Sequence, residues 1–552
     1  MKKILPGILA IAATFTNAAE EKPDYSSPVP KYTFSETLAE QKKELAKNPL
    51  LERFRKSRAK LLKDPHYPRY HFSSPENRLN DPNGLSYWNG KWHMFYQGYP
   101  PEHPRQHWGH VISDDLIHWE DLPYAIYPDP ERACFSGSVF IEDDRAIAMY
   151  HGTEVGTMVA VSDDPLLLNW EKVTGQAVIP ESMAGPAPLP NRIFDPCIWK
   201  EGDWYYSLTA GQTDDGPGGK SVRAEYLFRS KDLANWQFIH QFLENDRYGM
   251  VADDGACPYF WPIGDKHILI HYSHTSGGKW LLGDYDKKRM KFMVTDGGDF
   301  NHGPSAPGGV HAPSAFPDPD DPDSVICIFN MNPGFPSKGW NQLMSLPRKI
   351  TLAPDDRWDP LRQKPAGDYA SLRGKHQKVS NLNLPANEDV ILKKISGNTM
   401  ELIAEIDPKS AKVIELELLR SSGGEEKTRI LIQPEKGYSP RTFGRDDMIA
   451  RRAAKEVMNY TLVTLDNTRS STLPRAQSRH MEIDSFKRGK GETLKLHIFI
   501  DRSVVEVFVN DKAVVAARVY PGREDSLGVA LRAQGGAAKL ISLDAWQMGT
   551  IY

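Results

Sequence analysis

The period of the apolar positions changes once along the chain. Over residues 33–63, Leu38, Leu45, Phe54, Leu61 and Leu62 recur at the spacing of one helix face, which predicts a helical segment opened by a Thr33/Glu36 capping box and split by Pro49. After Tyr70 the apolar residues come in short runs rich in aromatic and β-branched side chains, at 85–88, 92–96, 147–150, 204–208 and 267–272. Gly, Asp, Asn or Pro separate them, which is the texture of strands joined by tight turns. Inside this region a phrase returns: Ser113-Asp114-Asp115-Leu116-Ile117-His118-Trp119, then Ser162-Asp163-Asp164 leading to Trp170, then Ser230-Lys231-Asp232-Leu233-Ala234-Asn235-Trp236. Repeated small sheets that close radially make a β-propeller with a central funnel, whereas a sandwich of irregular strands is the structural alternative. Pro354, Asp355, Asp356, Pro360 and Pro365 predict a polar linker over 351–390. Strand alternation then resumes at 400–406, 413–419, 494–499 and 504–509 as a second all-β domain, most simply a sandwich.

Composition narrows the class. Gly and Pro number 42 each and aromatics make up 10% of 552 residues, which favours turns and large rings over a helical bundle. Lys plus Arg is 68 against Asp plus Glu 72, a net charge of −4, and this lacks the basic excess that nucleic acid requires. Met1-Lys2-Lys3, the apolar run 4–15 and Ala18-Ala19 have the three regions of a secretory signal cleaved near Ala19. The run is too short for a membrane anchor and is interrupted by Pro6 and Thr14, so a secreted or periplasmic chain without a membrane span is expected. Cys134, Cys197, Cys257 and Cys327 lie far apart in strand-like runs, where buried thiols and bridges both fit, and no pairing is assigned. Arg53, Arg55, Lys56, Arg58 and Lys60 read as a solvated helix face.

Three acidic turns are the candidate chemistry. Asn80-Asp81-Pro82-Asn83-Gly84 lies between aromatic runs that would suit a sugar ring; Phe194-Asp195-Pro196 is a second Asp-Pro at a strand head; Asp253-Asp254-Gly255-Ala256-Cys257-Pro258 precedes Tyr259-Phe260-Trp261. One such turn per repeated unit would let them converge on a propeller axis. His107 and His110, three apart on a strand, fall on opposite faces, and no metal is expected. Asp214-Asp215 and the acidic stretch 318–323 read as solvated loops. Gly219-Lys220-Ser221 lacks the first glycine and the helix of a phosphate loop, so no cofactor is expected.

With these turns in place the chain resembles glycoside hydrolase family 32, the invertase, fructanase and levanase group, along nearly all of residues 67–552. The resemblance rests on the ordered set Asn80-Asp81-Pro82-Asn83-Gly84, Phe95-Tyr96-Gln97, His107-Trp108-Gly109-His110, Phe135-Ser136-Gly137-Ser138, Leu282-Gly283-Asp284-Tyr285, Gly339-Trp340, Ser345-Leu346-Pro347-Arg348 and Asp501-Arg502-Ser503-Val504-Val505-Glu506-Val507-Phe508. It implies an all-β fold: a signal at 1–19, a short N-terminal helical extension over 20–66, a five-bladed β-propeller over 67–350, the linker 351–390 and a C-terminal β-sandwich over 391–552. It also implies retaining cleavage of β-fructofuranosides in an oligo- or polysaccharide substrate, without cofactor or metal, and leaves the oligomeric state open. Asp81 would be the nucleophile and Asp195 the carboxylate that holds fructose hydroxyls. Asn80, Gln97, Trp108, Phe135 and Ser136 would line the pocket, with Trp108 as its apolar floor.

Two positions depart from the family pattern. Phe194 stands where an Arg is usual, and Ala256 stands where the acid/base Glu precedes Cys-Pro. Asp254 is the first candidate for the missing acid, because an extended chain projects it to the same side as residue 256. Asp253, Glu225 and no acid at all are the alternatives. Three functions therefore compete: a hydrolase of sucrose, levan, inulin or a related glycan; a carbohydrate-binding propeller with little or no turnover; and a hydrolase of another furanoside.

Overall fold

The computed structural model describes residues 24–182, 192–301, 303, 305–356, 358–435 and 460–552, so the expected signal segment lies outside the described residues. Helices α1 (Leu38–Leu45) and α2 (Pro49–Leu61) form the N-terminal extension. The cap is Thr37 rather than Thr33: its Oγ1 accepts from the Glu40 amide at 3.4 Å. Phe34 cannot enter a helix because its N–H and C=O are both taken by the Asn169 side chain, at 2.9 and 3.1 Å. Pro49 opens α2, where its missing N–H costs nothing, behind the Asn48 cap. Leu45, Leu50, Leu51 and Phe54 pack on Ile112, Leu122, Tyr124, Leu166 and Leu168. Arg58, expected on a solvated face, is instead buried, donating to both Asp121 oxygens at 2.5 and 2.6 Å with its guanidinium 4.4 Å from the Tyr552 ring centroid. Among the described residues no helix is long and apolar enough to cross a membrane.

Between Leu79 and Pro365 the described strands form five four- or five-stranded sheets. The inner strands are β1 (Leu79–Trp88), β2 (Cys134–Ile141), β3 (Ile193–Glu201), β4 (Ala256–Ile263) and β5 (Val310–Asp318). They pack against one another in the closed order β1, β2, β3, β4, β5 and back to β1. The repeated sequence phrase is the turn from third to fourth strand in the first three sheets. Asp115, Asp164 and Asp232 each accept backbone N–H bonds from residues two to five positions on. Leu116, Leu167 and Leu233 take φ of 67, 52 and 65° there, and the carboxylates supply the hydrogen bonds that hold that geometry.

Among the described residues two six-stranded sheets follow and face each other through Met400, Leu402, Ala404 and Ile406 on one side and Ile414, Leu416 and Leu418 on the other, each set alternating as a half-buried strand must. The expected linker over 351–390 is mostly strand. Leu361–Pro365 completes the fifth sheet beside Arg348–Leu352, and Arg373–Leu384 is the edge strand of the sandwich. Both read as polar because an edge strand leaves much of its surface to water.

The Asp501 to Phe508 motif clasps the two domains together. Asp501 accepts from the amides of Arg69, Tyr70 and His71 at 2.8, 2.8 and 2.9 Å, and Glu506 accepts from the Leu346 amide at 2.7 Å. His71 bridges the pair, with Nδ1 3.0 Å from Asp501 and Nε2 3.2 Å from Glu506. Burial alone would lower the His71 pKa, but the two carboxylates, one against each ring nitrogen, overcome it and hold the value above normal. Replacing Asp501 by Ala strands several buried N–H groups. We expect a loss of about 3–5 kcal/mol, read as a fall in the urea unfolding midpoint.

Candidate active site

The ladder of each inner strand breaks near its start: between Leu79 and Pro82, Cys134 and Gly137, Phe194 and Pro196, Ala256 and Tyr259, and Val310 and Pro313. Pro at 82, 196, 258 and 313 has no N–H to give a ladder, and the fifth copy has Gly137, where a Cβ would lie 2.1 Å from the Met149 carbonyl oxygen. Asp195 and Cys257 carry the backbone strain of these bulges, with φ of 40 and 51°. Below the bulges, side chains satisfy the strand edges that face the axis. Tyr259 Oη accepts from the Gly84 amide at 3.3 Å and donates to the Gly137 carbonyl at 2.9 Å. Ser314 Oγ takes the Leu85 amide and Ser138 Oγ the Ile198 amide, both at 2.9 Å. The funnel is thus closed at its base by a polar plug.

Above the plug lies a cavity of about 480 Å³, lined from the inner strands β1, β2, β3 and β5 and, ahead of β4, by Asp254. Asp81 is at its floor. Ser136 Oγ and Gln97 Nε2 donate to Asp81 Oδ2 at 2.6 and 3.1 Å, and Nδ1 of His311 stands 3.1 Å from Oδ1. Burial would raise the pKa of this carboxyl, but His311, Ser136 and His274 outweigh it and hold it below the usual value, so Asp81 is ionised at neutral pH. Asn80 accepts from Gln342 at 3.0 Å and donates to Gln97 at 3.3 Å, which fixes the amide that serves Asp81. Asp195 Oδ2 accepts from the Cys257 amide at 3.1 Å. The Cys257 thiol lies between the two carboxylates, 3.8 Å from Asp81 Oδ2 and 3.5 Å from Asp195 Oδ2. That thiol is held protonated by burial first and then by both carboxylates.

The structure brings Asn80, Asp81, Gln97, Phe135, Ser136, Asp195 and Asp254 to this one cavity. Trp108 does not line it. Fully buried behind Phe135, its indole N–H donates to the Phe135 carbonyl at 2.9 Å, so it supports the wall rather than forming a floor. Asp254 lines the cavity, but not by strand alternation, since Gly255 turns the chain with φ +66° before β4 begins. Its Oδ2 is occupied by His274 Nδ1 at 2.7 Å. Asp253 is buried and accepts from Ser273, Ser276 and the Met250 amide. Glu225 is fully buried behind Gly255, outside the cavity lining, with burial pushing its pKa up to about 7. The two departures from the family pattern are neighbours: Phe194 packs on the cluster of Ala256, Cys257 and Ala312.

The sequence reading missed His151, His274 and His311. His311 had a signal: it precedes Ala312-Pro313 as Asn80 precedes Asp81-Pro82, the same position of the repeated bulge. His151, with Nδ1 3.8 Å from Asp195 Oδ1, and His274 lie at the ends of second strands and in the turns after them, without a motif of their own.

Residues 71–365 match the N-terminal domain of glycosyl hydrolases family 32 and residues 368–547 its C-terminal domain. This chain belongs to glycosyl hydrolase family 32. It is 30% identical over 518 residues to sucrose-6-phosphate hydrolase of Escherichia coli, covering 88% of this chain and 95% of that protein. It is 27% identical to levanase of Bacillus subtilis, covering 86% and 69%. Fructan 1-exohydrolase IIa from Cichorium intybus shares the fold with a TM-score of 0.74 at 20% identity, over 88% of this chain and 98% of that one. The ring of sheets is therefore the family's propeller, the paired sheets its β-sandwich, and the protein is a β-fructofuranosidase-like glycoside hydrolase. All four thiols of this family 32 enzyme are buried and free, with pKa values raised by burial, Cys197 to about 11. Iodoacetamide at pH 8 is expected to modify none of them in the native protein and all four in urea, as counted by intact mass.

Proposed function

We propose that this enzyme hydrolyses β-fructofuranosidic bonds in sucrose, levan, inulin or a related glycan with retention of configuration, Asp81 being the nucleophile. The observation that carries the reading is the meeting of Asp81 and Asp195 on either side of the Cys257 thiol at the floor of one cavity. Each of the five sheets is one blade of a five-bladed propeller, and its funnel takes a single fructosyl ring. The family models and the names of the relatives support this substrate class, and the N-terminal signal supports export from the cytoplasm.

Ionised Asp81 attacks the anomeric carbon and forms a fructosyl ester, which water then opens. Ser136 and Gln97 hold its carboxylate in line, and Asn80 holds Gln97. Asp195 accepts from the ring hydroxyls and offsets the positive charge that develops at the ring. Phe135 and Phe194 give the ring apolar walls. The proton for the leaving oxygen comes from the wall that carries Asp254, since Ala256 has none to give. A second reading, a glycan-binding propeller without turnover, is favoured by Ala256 alone.

The test is the NMR-detected appearance of β-fructofuranose from sucrose, inulin and levan before mutarotation. Wild type is expected to release it, and Asp81→Asn to lose at least ~10³-fold in kcat/KM. Calorimetric binding of glycan with no free sugar would instead select the second reading. Because the Asp81 pKa is depressed, the acid limb of the rate profile is expected below the ordinary carboxylate range.

A further inference from the structure

We propose that His274, positioned by Asp254, is the group that protonates the leaving oxygen in this enzyme. The inference rests on Asp81 being the nucleophile and replaces the carboxylic acid that position 256 lacks. A general acid has to reach the oxygen that departs, and the departing group leaves by the mouth of the cavity while the fructosyl ring stays at its floor. The structure shows that gradient: the Asp81 side chain is 9% exposed, and the His274 side chain, lining the same cavity, is 62% exposed.

The other acids fail on geometry or on hydrogen bonding. Glu225 is sealed behind Gly255 and outside the cavity. Asp253 is consumed by Ser273, Ser276 and a backbone amide. Asp254 reaches the cavity, but its Oδ2 accepts from His274 Nδ1 at 2.7 Å and its Oδ1 from the His274 amide at 3.3 Å, so it serves as an acceptor. With Nδ1 tied down, Nε2 has no hydrogen-bond partner among the described residues and is the nitrogen left to serve substrate. Orientation of an imidazole by a carboxylate on its far nitrogen is a recurrent way to fix which nitrogen exchanges the proton.

The groups that face His274 come from several elements: Asp254 ahead of β4, Asp81 on β1, Asp195 on β3, His311 on β5 with ring centroids 5.6 Å apart, and Tyr272 at 5.6 Å. Asp254 foremost raises its pKa, burial opposes this, and Asp195 and Asp81 add to the rise, so the ring holds its proton more firmly than a free imidazole does. At an exposed rim water screens part of this until a glycan covers the pair.

In the first step an Asp81 oxygen bonds to the anomeric carbon, the glycosidic C–O bond breaks, and the leaving oxygen takes the proton from His274 Nε2. In the second, His274 Nε2 takes a proton from water as its oxygen bonds to the anomeric carbon and the ester bond to Asp81 breaks. The enzyme returns to its starting state and one water is consumed.

The experiment compares a leaving group that needs a proton with one that does not. For His274→Gln we expect kcat/KM on sucrose to fall ~10²- to 10⁴-fold, while kcat/KM on β-fructofuranosyl fluoride stays within about tenfold of wild type. Azide, a nucleophile that needs no base, should raise the variant's kcat on the fluoride and yield fructosyl azide. Asp254→Asn should shift the basic limb of the pH profile to lower pH, because the partner that raises the His274 pKa is gone. Equal losses on both substrates, or unchanged sucrose turnover in His274→Gln, overturn the proposal. A wild type that hydrolyses neither sucrose nor fructans but turns over the fluoride, with the loss in Asp81→Asn intact, overturns the donor alone. A wild type inert on the fluoride overturns the nucleophile as well.

Discussion

A strand nearest the axis of a ring of sheets has a hydrogen-bonding neighbour on one side only, and the rest of this molecule follows from how that open edge is handled. Low on the inner strands, side chains from other inner strands take free amides: Tyr259, Ser314 and Ser138 serve Gly84, Leu85 and Ile198. Higher up, a bulge ends the regular ladder in every sheet, and the residues released there turn to the funnel. The polar plug and the cavity above it are two answers to one constraint, since an edge that cannot pair must be satisfied or used.

Electrostatics then divides the labour within the cavity. Donors converge on Asp81 and keep it charged despite burial, and the Cys257 thiol keeps two carboxylates apart without adding a charge of its own. Phe194 packs on Ala256, Cys257 and Ala312, so that part of the wall is apolar. The Asp254 and His274 pair stands at the rim. The sandwich sits outside this chemistry: Asp501, Glu506 and His71 fasten it to the start of the propeller, far along the chain from the residues they hold.

Sequence alone determined the elements whose cause is local. Period and turn chemistry marked the two helices, the strand-rich body and the Ser-x-Asp turns, because an aspartate that caps its own turn does so whatever surrounds it. The Asp-Pro steps marked the site, because proline cannot join a ladder and so announces a bulge. Where the cause is distant, the reading went astray. Thr33 looked like a cap until Asn169 held Phe34 extended; Arg58 looked solvated until Asp121 and Tyr552 enclosed it; Trp108 looked like a sugar platform until the fold placed it behind Phe135. Only the tertiary structure decided that His151, His274 and His311 share a cavity with Asp81, and that Asp254 is spoken for by a histidine. Those side chains come from four different sheets, and their distances are set by how the ring closes, which no stretch of neighbouring residues encodes.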